Sequence, residues 1–83
     1  MNDFAIEPEI CVRLPGKRDT LSLRSVDAAA DFVRERLGRN PNRMWAGVLY
    51  RLEAARSKED AIEAANALRA LLEAEGSLLT ERH

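Results

Sequence analysis

Ile10, Val12 and Leu14 alternate with Cys11 and Arg13, so the apolar side chains fall on one face of the segment and the other two on the opposite face. A period of two marks a half-buried strand, predicted here from Glu9. Thr20-Leu21-Ser22-Leu23 repeats the alternation, with Leu21 and Leu23 inward. Between the runs, Pro15-Gly16-Lys17-Arg18-Asp19 carries turn chemistry: Pro fixes φ and Gly is free to take positive φ. The two runs predict an antiparallel β-hairpin. Its apolar face needs cover from elsewhere, because an isolated hairpin is marginal in water. Residues 1–8 show little pattern and end at Pro8; they read as a loose or edge-lying arm.

The period then changes. Val26, Ala29, Ala30, Val33 and Leu37 recur at spacings of three and four, with Phe32 beside them. That spacing predicts a helix over 26–37, with Ser25 as N-cap, Asp27 near the positive end of the dipole and Gly38 as a left-handed C-terminal cap. Asn40-Pro41 repeats the start signal, and Met44, Trp45, Val48, Leu49 and Leu52 follow, predicting a second helix over 41–55 with Tyr50 on its flank. Ser57-Lys58-Glu59-Asp60 reads as an Asp variant of the capping box. It opens a third, Ala-rich helix with a stripe of Ala61, Ile62, Ala65, Leu68, Leu71 and Leu72, ended by Gly76. The tail Ser77-Leu78-Leu79-Thr80 is apolar enough to dock on the core as a short third strand.

The expected fold is therefore α+β, a two-stranded antiparallel β-hairpin packed on three α-helices. Residues 1–83 form a single domain, with an ordered core over 9–79 and a frayed tail over 80–83. At 83 residues, a domain buries only about 60–65% of the surface its unfolded chain exposes. Its stability is expected to be of order 5 kcal/mol, so a partner subunit could matter.

The ordered landmarks are the strand Ile10-Cys11-Val12-Arg13-Leu14, the cap and helix Ser25-Val26-Asp27-Ala28-Ala29, Trp45-Ala46 opening the second helix, and Ser57-Lys58-Glu59-Asp60-Ala61 leading into the third. Together they resemble the small bacterial domain-of-unknown-function 982 family over nearly the whole chain, from Glu9 to Leu79. The resemblance implies a small stand-alone α+β fold and brings no catalytic assignment.

Composition narrows the function classes. The chain is 46% hydrophobic and 33% charged, too apolar for a disordered chain and too charged for a membrane one. A net charge of −1 gives no global pull towards nucleic acid or anionic lipid. One cysteine fits a reducing compartment. The N-terminus lacks the basic start and apolar run of a signal peptide, so the protein is expected to be cytoplasmic.

Candidate chemistry is thin. Cys11 is the only thiol and His83, the last residue, the only imidazole, so neither a thiol–base pair nor a zinc site is expected. Glu59, Asp60 and Glu63 read as solvated acids of a helix start. The row Asp27, Asp31 and Glu35 reads as a solvated helix face neutralised by Arg24 and Arg34. Gly16, Gly38, Gly47 and Gly76 make no phosphate cradle, although Gly47, inside a helix, suggests close approach of another backbone. The third helix carries more acid than base, unlike a recognition helix in a major groove. No enzymatic activity, cofactor or metal is expected.

Two leads remain. Arg34, Arg36, Arg39 and Arg43 surround the end of the first helix, and Arg13, Lys17, Arg18 and Arg24 the hairpin. If both clusters face one way they make a surface for nucleic acid or another anion; otherwise they are scattered, solvated side chains. Trp45 and Tyr50 are either core or interface anchors, falling off the Val48–Leu52 stripe. The favoured reading is a non-enzymatic interaction or regulatory module, with an unidentified protein partner or a second copy meeting its unpaired strand edges.

Overall fold

The computed structural model describes residues 4–13 and 20–79. In chain order the elements are β1 (Ala5–Arg13), β2 (Thr20–Ser25), α1 (Val26–Arg39), α2 (Arg43–Ala54), α3 (Lys58–Glu75) and β3 (Leu78–Leu79). The strands form one antiparallel sheet in the order β2-β1-β3, so the fold is α+β with three strands rather than the two of a hairpin.

The alternation in β1 sets the faces of the sheet. Ile10 and Val12 are buried, and their partners across the ladder are Leu23 and Leu21 respectively. Cys11, opposite Ser22 and Leu79, belongs to the other face and is half-buried. Leu21 points with Val12 as expected but stays 37% exposed, because β2 is an edge strand with no neighbouring strand on its outer side among the described residues. The predicted turn over Pro15 to Asp19, the inward Leu14 and the frayed tail 80–83 lie outside the described residues.

The N-terminal arm is not loose where it is described. β1 begins at Ala5, Ile6 is buried, and the Phe4 carbonyl accepts from the Val26 amide at 2.8 Å. The pattern of two was hidden here because the register slips between Ala5 and Ile10, five residues of β1 spanning two of β2. Pro8, which has no N–H for a ladder, falls inside this irregular stretch.

Helix ends follow cap chemistry, with two corrections. Ser25 caps α1 as expected, its Oγ accepting from the Ala28 amide at 3.2 Å. Gly38, however, is helical; α1 continues to Arg39, and only Gly76 among the described residues takes positive φ. The N-cap of α2 is Asn42, not Asn40: its Oδ1 accepts from Met44 and Trp45 amides at 2.8 and 3.3 Å. Both asparagines satisfy the sequence rule, and the one spaced to place Trp45 in the core is used. Ser57 caps α3, its Oγ accepting from the Asp60 amide, while Asp60 reaches back to the Arg56 amide. At the far end Gly76, with φ of 80°, turns the chain. The Gly76 and Ser77 amides donate to the Glu73 and Leu72 carbonyls, a Schellman ending that aims the next residues at the sheet. Leu78 and Leu79 then pair with Val12 and Cys11, so the tail does form the third strand.

The helices cover the sheet face that carries Ile10 and Val12: α1 contacts β2, α3 contacts β1 and β3, and α2 rests on α1 and α3. One apolar cluster joins all five long elements, from Ile6 through Leu23, Val33, Trp45 and Leu52 to Leu68 and Leu72. Small residues at Ala29, Ala61, Ala64 and Ala65 are buried where the helices meet. Two stripe residues are left out: Met44 and Ile62 are exposed.

Gly47 has no close neighbour among the described residues. A Cβ built there meets nothing within 4 Å among the described residues, and Gly47 is exposed, so the expected backbone approach is not found among them. Replacing Gly47 with Ala is therefore expected to stabilise the protein by up to about 1 kcal/mol through helix propensity and loss of unfolded-chain freedom. A thermal melt reads this as a higher midpoint; a lower one would reveal a contact at that turn of α2.

Candidate functional site

Arg34 and Arg36 lie two positions apart on α1, and so point about 160° from each other around the helix axis. They meet different neighbours. Arg34 holds Asp31 at 2.6 Å and reaches across to Glu53 of α2 at 2.8 Å. The hydrogen bonding it donates to Glu53, then the fields of Glu53 and Asp31, raise its pKa above the ordinary arginine value, against an opposing effect of desolvation. Arg36 goes the other way, to Glu75 of α3. Arg39 stands 4.0 Å from Glu35, and Arg43, at the first residue of α2, has no ion pair among the described residues.

The four arginines therefore do not form one cationic patch. Three of them face carboxylates, two of which, Glu53 and Glu75, come from distant helices and could not be foreseen from local spacing. In the hairpin cluster Arg24 is tied to Glu9 at 2.7 Å, Arg13 is exposed, and Lys17 and Arg18 lie outside the described residues. An anion at Arg24, Arg34, Arg36 or Arg39 would compete with the carboxylates already paired there.

Trp45 and Tyr50 part company. Trp45 is 4% exposed and Tyr50 73%. Phe32 meets the Trp45 ring edge-on, with centroids 6.2 Å apart, and the Arg36 guanidinium lies 4.7 Å from the ring centroid. Trp45 is thus a core residue held by α1. Trp45, Val48 and Leu52, spaced three and four apart, share one face of α2, so Trp45 lies on the stripe and not off it. Tyr50 flanks a depression of about 210 Å³ between α2 and α3, whose polar lining comes from Arg51, Asp60 and Glu63.

No group of three or more histidine, cysteine or acidic residues is placed to hold a metal ion among the described residues. None of their buried polar side-chain atoms lacks a partner. No described helix is long and apolar enough to cross a membrane.

What the fold does create is a cleft at its edge. α1 starts where β2 ends and runs back beside it, so Leu21, Ser22 and Leu23 face Ala28, Asp31, Phe32, Glu35 and Arg39 across a space of about 380 Å³. Its floor is apolar, from Leu21, Ala28 and Phe32. Phe32 is fixed from behind by Trp45. The rim is charged, and the outer edge of β2 carries no neighbouring strand among the described residues. A strand edge beside a helix can take up one more extended chain, its backbone bonding to the strand and alternate side chains entering the cleft. The sequence showed the row Ala28, Asp31, Phe32, Glu35, Arg39 at helical spacing. It did not show that β2, and not β1, would be the edge. No family model matches the chain, and neither the curated proteins nor the solved structures contain a match to it.

Proposed function

We propose that this chain is a non-enzymatic protein-interaction module that accepts an extended segment of a partner along the outer edge of β2. The observation that carries the reading is an edge strand with a half-exposed leucine, Leu21, facing a helix across an apolar-floored cleft. Exposed strand edges are usually blunted by charge, proline or a covering element. On β2 the charge is Arg24, which is engaged by Glu9 at one end. The alternative, nucleic-acid or anion binding through Arg34, Arg36, Arg39 and Arg43, has less support, since three of the four already face acids.

A random octapeptide display library selected against the intact chain tests the reading. Enriched peptides are expected to shift the NMR amide signals of Thr20 to Ser25, and Leu21→Asp is expected to weaken them about tenfold or more. A library that enriches nothing, or peptides that shift other amides and ignore Leu21→Asp, would reject it.

A further inference from the structure

We infer, on the premise of the β2 docking surface, that the segment it takes is basic, with Lys or Arg at two positions spaced by one residue. The argument starts from two repeats that match. In an added strand every second side chain faces the helix, and such side chains recur about every 6.7 Å. On α1, positions four apart recur about every 6 Å. Successive cleft-facing side chains of the segment therefore meet successive turns of α1, whose charged members are Asp31, Glu35 and Arg39.

Two turns present a carboxylate and the third a guanidinium. The carboxylates are engaged only in part. Asp31 accepts from Arg34 through one oxygen, and Glu35 lies at 4.0 Å from Arg39; both side chains remain more than three-quarters exposed. A carboxylate has about four acceptor sites, so each retains capacity for a further donor. Below these charges lie the Phe32 ring and Leu21. A ligand side chain entering here meets an apolar floor first and an acid at the rim. Lys and Arg satisfy both, the methylene stem covering the apolar surface and the head reaching the carboxylate. An aliphatic side chain leaves the rim unpaired, and an acidic one meets like charge. Arg39 at the third turn disfavours a third cation. The resulting pattern is two basic residues separated by one, followed at the next cleft-facing position by a neutral or acidic residue, or the reverse order if the segment runs the other way.

Three fluorescein-labelled hexapeptides with the sequence Val-Xaa-Thr-Xaa-Thr-Val, Xaa being Arg, Gln or Glu, decide the matter by anisotropy with the full chain. The Arg peptide is expected to bind about tenfold more tightly than the Gln peptide, and the Glu peptide more weakly still. The preference for Arg over Gln should shrink as salt rises. It should also vanish in the Asp31→Asn, Glu35→Gln double variant, to which the Arg and Gln peptides should bind alike; a melt confirms that this surface variant folds. Equal affinity for the Arg and Gln peptides, with both lost in Leu21→Asp, would overturn the basic preference and leave the docking surface standing. An Arg preference that survives the double variant would equally overturn it, as charge attraction from elsewhere on the molecule. Binding by none of the three, with no shift of β2 amides, would remove both readings.

Discussion

Trp45→Ala should destabilise the protein by about 3–5 kcal/mol, whereas Tyr50→Ala should stay within about 0.5 kcal/mol of the parent. The contrast follows from position. Trp45 is 4% exposed, with the Phe32 ring against one edge and the Arg36 guanidinium close to its face. Arg36 in turn is ion-paired to Glu75, so one indole from α2 organises contacts from α1 and, through Arg36, from α3. Truncation removes a large apolar surface, leaves a cavity between α2 and α1, and frees Phe32, which floors the proposed cleft. For a chain of 83 residues, total stability at 0.05–0.15 kcal/mol per residue comes to about 4–12 kcal/mol. At the lower end of that range the variant would lie close to the unfolding threshold at room temperature. Urea titration followed by circular dichroism measures both variants. A mild loss at Trp45 combined with loss of peptide binding would return it to the role of interface anchor.

Leu72→Ala comes next, with an expected loss of about 2–5 kcal/mol. Leu72 is fully buried, and its carbonyl accepts the Ser77 amide in the turn that sends the chain into β3. Emptying the site removes core volume at the point where that turn is anchored. Hydrogen exchange should therefore quicken at the β1–β3 pairing, at Val12, Arg13 and Leu78, more than at Ile10 and Leu23. Ile62→Ala, on the same helix but 47% exposed, is the control and should cost little. A Leu72 loss below about 1 kcal/mol would contradict the packing described for α3.

The three helices and the strand at Ile10 to Arg13 could be read from periodicity, because each buries one face and a buried face leaves its spacing in the chain. Ser57 and Gly76 were legible for a related reason: an unpaired amide or a left-handed turn admits few residue types. Reading failed where two local solutions satisfied the same rule. Asn40 and Asn42 both qualify as caps, and Gly38 and Gly47 both look like signals of a turn or a close approach. In each case the three-dimensional packing chose. The arginine cluster was misread for a different reason. Its counter-charges, Glu53 and Glu75, are 19 and 39 residues from their partners. No local window contains them.

By itself the amino-acid order determined an α+β chain with a strand-forming start and three helices in known places, since hydrophobic period and capping are local properties. Tertiary structure alone decided that β1 lies in the middle of the sheet, with the tail pairing on one side and β2 an edge on the other. It also decided which charges meet, and that Trp45 points in while Tyr50 points out. Those outcomes depend on which distant surfaces are pressed together to exclude water. That is a property of the assembled core, not of any stretch of sequence within it.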